Sequence, residues 1–257
     1  MTSAGTLALA DRVVVVTGAS SGIGRAIAIA AAAAGADVVL TYLHNEPGAR
    51  AVTNEIAALG RRAIAIQLDL GDAASIRELG QAATREFGRV DVWINNAGAD
   101  VLTGASAALP TVDKLDRLLA VDLRGTMLAS WLAADLLGGQ SDGGVIINVS
   151  WDHVLTGMAG LNPQLFAAVK GGVLSFSKAL ARSVAPRVRV NVLAPGWIAT
   201  AFSNEMAPDL RDQVAESTPM KRWGTPDDVA GAAVFLASPA AAFITGQTIF
   251  VGGGIVM

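Results

Sequence analysis

Short runs of β-branched residues alternate with longer helix-forming segments along the chain, and this alternation limits the fold more than any other feature. Most of the runs are unbroken, as in Val13–Val16 and Val145–Ile147. Unbroken apolar runs are typical of strands that are covered on both faces, as in a parallel sheet. The alternation therefore predicts a doubly wound α/β fold with helices on both faces of the sheet.

The pattern gives approximate bounds for each element. The predicted strands are Arg12–Thr17, Asp37–Tyr42, Ala63–Leu68, Val90–Asn95, Gly144–Ser150, Arg187–Leu193 and Thr248–Val251. The predicted helices are Gly24–Ala34, Ala49–Leu59, Ala73–Phe87, Thr111–Leu137, Pro163–Ala185 and Pro226–Leu236. No linker or repeat divides the chain, so residues 1–257 are expected to form a single Rossmann-like domain. The irregular segment 194–225 is long enough for a substrate loop.

Composition excludes several classes of function. The chain is 52% hydrophobic and 16% charged, which excludes disorder. Its formal net charge of −3 supplies no basic surface for nucleic acid or an anionic membrane. It has no cysteine, and therefore no disulfide or thiolate site. Met1–Ala10 shows no secretory signal and Ala26–Ala34 is too short to span a bilayer, so we expect a soluble, cytoplasmic protein.

A glycine-rich turn follows the first predicted strand and leads directly into the first helix. It reads Thr17-Gly18-Ala19-Ser20-Ser21-Gly22-Ile23-Gly24. Glycines let the chain turn tightly and bring backbone N–H groups close to a pyrophosphate at a helix N-terminus. Because the turn lies between a strand and a helix, the sequence predicts a nucleotide-binding site here.

The spacing Gly18-xxx-Gly22-x-Gly24, with Asn95-Asn96-Ala97-Gly98 after the fourth strand, resembles the short-chain dehydrogenase/reductase family. The resemblance continues through Asp69, Pro195-Gly196-Trp197-Ile198, Pro226–Ala230 and Phe235–Ser238, so it covers nearly the whole chain. It implies an NAD(P)(H)-dependent oxidoreductase. The cofactor half would be about residues 1–100 and the active-site half about 101–257.

The resemblance also implies which residues bind the cofactor. They are Gly18, Ser20, Ser21, Gly22, Ile23, Gly24, His44, Asp69, Asn95, Ala97, Gly98, Lys170, Pro195 and Gly196. Asp69 would touch the adenine edge, and it equally suits a helix cap. An acid roughly 20 residues beyond the glycines binds the ribose 2′-hydroxyl of NAD. Leu40–His44 contains no acid, which favours NADP(H) over NAD(H), with His44 either at the 2′-phosphate or in an exposed loop. No metal is expected.

The sequence departs from the family where the resemblance places the chemistry. Members carry a Tyr-xxx-Lys pair on one face of a helix, with a serine and an asparagine nearby. Here the helix reads Phe166-Ala167-Ala168-Val169-Lys170, and Tyr42 is the only tyrosine. Trp151 aligns with the serine and Asp122 with the asparagine. Ser150, next to Trp151, would face the site only if a bulge turned it inward.

Two explanations follow. In the first, the chain remains an oxidoreductase with a relocated proton donor, acting on a small, apolar carbonyl, alcohol, activated double bond or imine. Asp152 and His153 follow Trp151, and a histidine is a suitable general acid near neutral pH. A surface Asp–His pair explains them equally well. Asp122 would pair with Lys170, keep part of the proton relay, or bond to the helix backbone.

In the second explanation the redox chemistry is lost. The chain would then be the partner subunit of a hetero-oligomer, or would catalyse a non-redox step such as cyclisation or dehydration. An apolar pocket of Trp151, Phe166, Trp197 and Phe202 would hold the small-molecule substrate, unless these rings only pack the cleft. The high apolar fraction favours a homo-oligomer, a tetramer or a dimer, and a hetero-oligomer stays open.

Overall fold

The computed structural model describes residues 7–257, and its strands form one parallel sheet. Residues 1–6, part of the segment expected to lack a secretory signal, lie outside the described residues. The strands are β1 (Val13–Val16), β2 (Asp37–Tyr42), β3 (Ala63–Gln67), β4 (Val92–Asn95), β5 (Gly144–Val149), β6 (Val188–Pro195) and β7 (Thr248–Val251). Their spatial order is β3-β2-β1-β4-β5-β6-β7. This order confirms the predicted single-domain, Rossmann-like α/β fold.

Helices cover both faces of the sheet. They are α1 (Gly22–Ala33), α2 (Glu46–Ala58), α3 (Ala73–Phe87), α4 (Thr111–Leu118), α5 (Thr126–Gly138), α6 (Leu161–Val184), α7 (Ala201–Asn204), α8 (Pro208–Ser217) and α9 (Pro226–Ala237). Residues of α1, α2 and α9 share one apolar core with the sheet, and residues of α3, α5 and α6 share the other. The β-branched residues of the five inner strands are buried between these two layers, whereas those of the edge strands β3 and β7 are only partly buried.

The strand order reverses direction at β1, whose neighbours are β2 and β4. In parallel α/β sheets such a switch point leaves a crevice beyond the carboxyl ends of the strands. The glycine turn after β1 and the loops after β4, β5 and β6 all emerge at this edge. The fold thus brings distant sequence motifs together in one cleft.

The predicted helix Thr111–Leu137 has a more complex structure. It consists of α4, a π turn at Leu119–Gly125, and α5. A π turn holds one extra residue, which a periodicity of 3.6 does not reveal. The turn contains Asp122, whose Oδ1 accepts the backbone N–H of Ala99 at 2.7 Å. This contact fixes Asp122 beside the loop after β4.

The segment predicted as irregular, 194–225, contains the end of β6 and the helices α7 and α8. The sequence did not predict its short helices, because little apolar periodicity marks them. In α8 only Val214 is buried. Within the described part of the chain, no helix combines the length and apolarity that crossing a membrane requires.

Candidate active site

The glycine turn is fixed by hydrogen bonds from both neighbouring strands. The Gly18 N–H donates to Thr41 Oγ1 at 3.0 Å. Asn96 Nδ2 donates to the carbonyl oxygens of Thr17 and Gly18 at 3.0 and 3.1 Å. Thr17 Oγ1 accepts the N–H groups of Asn96 and Ala97, each at 3.0 Å. The turn is therefore held in shape before any ligand arrives.

Two of the glycines are required by space. A Cβ on Gly24 would lie 2.3 Å from the Gly18 carbonyl oxygen and 2.5 Å from Asn96 Nδ2. Gly18 has φ of +65°, and a Cβ there would lie 2.8 Å from the Ala97 Cα. The turn leads into α1, whose N-cap Ser21 makes no side-chain capping bond. The first N–H groups of this helix are thus available to an anion.

A cavity of about 340 Å³ lies beside this turn. It is lined by Gly18, Ser20, Ser21, Thr41, Tyr42, Leu43, Leu68, Asp69, Leu70, Asn96, Ala97, Gly98 and Val121. Exposed Asp69 uses Oδ1 to accept the Gly71 N–H at 2.8 Å, and within the described part of the chain no hydrogen bond reaches its Oδ2. The tight glycines, the uncapped helix and the adjoining cavity fit the pyrophosphate and adenosine of a dinucleotide. We call this the nucleotide cavity.

Two of the residues predicted to bind the cofactor have side chains outside the nucleotide cavity. His44 is exposed and does not line the nucleotide cavity. Asn95 is buried beneath the cleft, where it accepts from Trp93 Nε1 at 2.8 Å and donates to Ser130 Oγ at 3.0 Å. Its neighbour Asn96 lies in the cleft instead, because it follows the last residue of β4.

A second cavity, of about 480 Å³, adjoins the nucleotide cavity, and Asn96 lines both. Its wall consists of Ile23, Asn96, Leu102, Val149, Ser150, Trp151, Met158, Asn162, Pro163, Phe166, Lys170, Pro195, Gly196, Trp197, Ile198, Thr200, Phe202 and Trp223. The predicted aromatic residues are all present in this wall. We call it the aromatic cavity.

Lys170 is the one ionisable side chain in the wall of the aromatic cavity, which lies entirely within residues 7–257. Its Nζ lies 2.9 Å from Asp122 Oδ2, and both side chains are almost completely buried. The structure thus brings together two predicted site residues as a buried ion pair. The Asp122 carboxylate compensates the charge of the buried ammonium group. Because this carboxylate also accepts the Ala99 N–H, it holds the ammonium group in one position.

Phe166 lies one helical turn before Lys170 on α6, and both residues line the aromatic cavity. Ser150 also lines this cavity, but its Oγ donates to the Lys170 carbonyl oxygen at 2.8 Å. The hydroxyl of Ser150 is therefore engaged by the backbone of α6. The Trp151 ring centroid lies 6.4 Å from that of Phe166, which places an apolar corner beside Lys170.

Asp152 and His153 lie behind the wall of the aromatic cavity rather than on it. His153 Nδ1 is 2.5 Å from Asp152 Oδ1, and its ring stacks on Trp151 with centroids 5.0 Å apart. Asp152 is fully buried, and its Oδ2 has no hydrogen-bond partner among residues 7–257. Burial raises the pKa of Asp152, with the hydrogen bond to His153 acting in the opposite direction.

Sequence reasoning missed some of the cleft residues. Asn96 belongs to the Asn95–Gly98 motif, but the motif does not indicate that this side chain fixes the glycine turn. Met158, Asn162 and Trp223 line the aromatic cavity from three different segments, and no local pattern marks them. Their positions follow from the tertiary packing of α6 and of the segment before α9.

The fold and the paired cavities define a dinucleotide-binding protein of the Rossmann type. Residues 18–256 match the family model described as enoyl-(acyl carrier protein) reductase. A 3-oxoacyl-[acyl-carrier-protein] reductase from Synechocystis is 38% identical over 97% of this chain and 99% of its own length. The chain belongs to the short-chain dehydrogenase/reductase family of NAD(P)-dependent oxidoreductases.

Solved structures of family members superpose on almost the whole chain. A short-chain dehydrogenase from Burkholderia cenocepacia in complex with NADP is 35% identical, with a TM-score of 0.87 over 96% of this chain and 99% of that one. A 7α-hydroxysteroid dehydrogenase in complex with NADH and 7-oxo glycochenodeoxycholic acid is 32% identical, with a TM-score of 0.88. The superposition covers 100% of this chain and 98% of that one.

Proposed function

We propose that this protein transfers a hydride between NADP(H), favoured over NAD(H), and a small apolar substrate in the aromatic cavity. The observation that carries the proposal is the position of Lys170. It lies in the wall of the aromatic cavity, whose Asn96 also lines the nucleotide cavity, and its ammonium group is fixed by Asp122. When bound, a nicotinamide dinucleotide supplies or accepts the hydride.

The protein's own residues position the reactants in this proposal. When bound, the cofactor would be held at its pyrophosphate by the glycine turn and the N-terminus of α1, at its adenine by Asp69, and at its nicotinamide ribose by Lys170. Ile23, Pro195 and Gly196 would help to hold its nicotinamide end. The aromatic wall excludes water from the substrate. Segment 194–225 acts as the substrate loop, which is supported by the presence of six of its residues beyond β6 in the cavity wall.

The proposed active site is atypical because Phe166, Trp151 and Asp122 take the places of the family's tyrosine, serine and asparagine. A phenyl ring has no proton to donate, and the Ser150 hydroxyl is engaged by α6. The Asp152–His153 pair stays a candidate proton donor, but it must act past Trp151. Replacing His153 with alanine would then lower turnover by about 10²-fold or more and leave cofactor affinity unchanged.

A second function is favoured by the same lack of a phenol in the cavity wall. The chain would be a catalytically degenerate partner subunit, or would use the aromatic cavity for a non-redox cyclisation or dehydration. A homo-oligomer, a dimer or a tetramer, is our preferred assembly. The half-exposed Trp131 on α5 is one of the large apolar side chains that such an assembly would cover.

The deciding experiment is a fluorescence titration with NADPH and with NADH. We expect micromolar binding, tighter for NADPH. Lys170→Met should weaken binding at least tenfold, because a hydrogen bond to a charged group is worth about 1.5–3 kcal/mol. Lys178→Met is the matched control, since Lys178 is an exposed lysine on the same helix. Binding of neither nucleotide would overturn the redox proposal and favour the second function.

A further inference from the structure

We infer that the substrate of the aromatic cavity is a cation with a C=N bond, an iminium ion that leaves as a neutral amine. The inference rests on the proposed hydride transfer and names its substrate class. Three observations carry it: the aromatic wall, the charge balance around Lys170, and the shortage of proton donors in the wall.

Five aromatic rings stand around the cavity, joined by the thioether of Met158. They are Trp151, Phe166, Trp197, Phe202 and Trp223. The ring planes of Trp151 and Phe166 make an angle of 66°, and those of Trp197 and Trp223 an angle of 64°. Because these ring planes are steeply inclined to each other, the wall presents aromatic faces in more than one direction. Aromatic faces attract organic cations, and they do so most strongly where water is excluded.

The charges around the cavity also suit a cation. The Lys170 ammonium group would repel one, but the Asp122 carboxylate at 2.9 Å compensates its charge. Lys114 lies behind Asn162, with its Nζ donating to the Ala107 carbonyl oxygen at 2.7 Å. Asp152 and His153 lie behind Trp151 and Trp197. The wall itself therefore carries no uncompensated positive charge in the described part of the chain.

Carbonyls, activated C=C bonds and iminium ions differ in whether hydride addition also requires a proton. Hydride addition to a carbonyl gives an alkoxide, and addition to an activated C=C bond gives an enolate, so both need a proton. Hydride addition to an iminium carbon forms a C–H bond, and the C=N π electrons become the lone pair of a neutral amine. NADPH is oxidised to NADP⁺ in the same step, and no proton moves. Of the three reactions, only this one needs no proton donor, so it does not require a phenol at the position of Phe166.

The first test compares two bicyclic substrates of similar size with NADPH: the cation N-methyldihydroisoquinolinium and the neutral ketone tetralone. We expect kcat/KM for the cation to exceed that for the ketone by at least about 10²-fold, the usual contribution of a general acid. If NADPH binds and the ketone is reduced as well as the cation, this inference fails and the proposed function stands. If NADPH does not bind, the proposed function itself fails.

The second test needs no turnover. N,N-dimethyltetrahydroisoquinolinium carries a permanent charge, and dimethyltetralin is its neutral carbon isostere. We expect the cation to bind at least about tenfold more tightly to the NADPH complex, by calorimetry. Trp197→Leu should remove most of this preference, whereas Trp131→Leu, on the outer face of α5, should keep it. Equal affinity of the wild-type protein for both compounds would overturn the inference.

Discussion

Lys170 Nζ and Asp122 Oδ2 lie 2.9 Å apart, and this buried ion pair joins α6 to the π turn between α4 and α5. The second oxygen of Asp122 accepts the Ala99 N–H, so the carboxylate also anchors the loop after β4. One carboxylate thus fixes three segments that form the cleft. The lysine head is held by Asp122 and also donates to the Val149 carbonyl oxygen at 3.4 Å.

Asp122→Asn should lower the free energy of unfolding by about 3 kcal/mol, because it leaves the buried charge of Lys170 without its counter-charge. The amide oxygen can still accept from Ala99, so the loss reports the ion pair. Adding Lys170→Met should recover much of this loss, since it removes the unpaired charge. Urea denaturation of the single and double variants measures both effects. Additive losses would show that the two residues are not coupled.

Gly24→Ala should weaken NADPH binding by about 10²-fold or more, because the added methyl group would overlap the Gly18 carbonyl oxygen and Asn96 Nδ2. Fluorescence titration measures the change. Gly138→Ala is the control: it lies at the end of α5, where a Cβ meets no atom within 4 Å. Unchanged affinity of the Gly24 variant would mean that the turn does not hold the pyrophosphate.

Tyr42→Asp should shift the preference from NADPH toward NADH by about tenfold or more. Tyr42 ends β2 and lines the nucleotide cavity. A carboxylate there would bond to the ribose hydroxyls of NADH and repel the 2′-phosphate of NADPH. The ratio of the two dissociation constants is the measured quantity. Tyr42→Phe, which adds no charge, is the control and should leave this ratio near its wild-type value.

Asp152→Asn should become relatively more stable than the wild type as pH rises from about 4 to about 8. Burial raises the pKa of Asp152, so the folded protein binds this proton more tightly than the unfolded chain does. Its contribution to stability is therefore present in acid and lost as pH rises through the folded-state pKa. The asparagine variant lacks this loss. Urea denaturation across the pH range gives the difference between the two proteins.

Asp228→Asn supplies a comparison of opposite sign. The hydrogen bonds from Arg222 lower the pKa of Asp228, and the backbone N–H of Thr225 acts in the same direction. Its contribution to stability is present above the unfolded-state pKa and is lost as pH falls through the folded-state pKa. The asparagine variant should therefore lose stability relative to the wild type as pH rises. If both variants showed the same slope, the assignment for Asp152 would be wrong.

The sequence predicted the sheet well because most strands are unbroken apolar runs, and the glycine turn located the crevice. The ends of the helices were predicted less accurately than the strands. For example, α2 begins at Glu46 rather than Ala49, because Asn45 caps it and accepts the Gly48 N–H. The site was predictable in its aromatic composition and in Lys170. Which of two adjacent asparagines faces the cleft was not, because Asn95 is held beneath the cleft by Ser130 and Asn148, which are distant in the sequence.

The burial of Asp152 also could not be read from its sequence neighbours. Gly196 and Gly252, distant in the chain, leave the space for its carboxylate: a Cβ on either would lie 2.3 or 2.4 Å from Oδ2. Only the tertiary structure brings these two backbones together. A local Asp-His dipeptide gives no sign of such an enclosure.

A set of polar side chains lies in the middle of the molecule, below the cleft. Asn95 joins Ser130 and Asn148, and Asn148 donates to Ser177 Oγ at 2.9 Å. These bonds connect β4 and β5 with α5 and α6, and all four side chains are buried. Sliding either helix by one residue would leave several of these groups unpaired, at a cost of about 1–3 kcal/mol each. The network thus fixes the position of α6, and of Lys170 on it, without any hydrogen bond from Trp151 or Phe166.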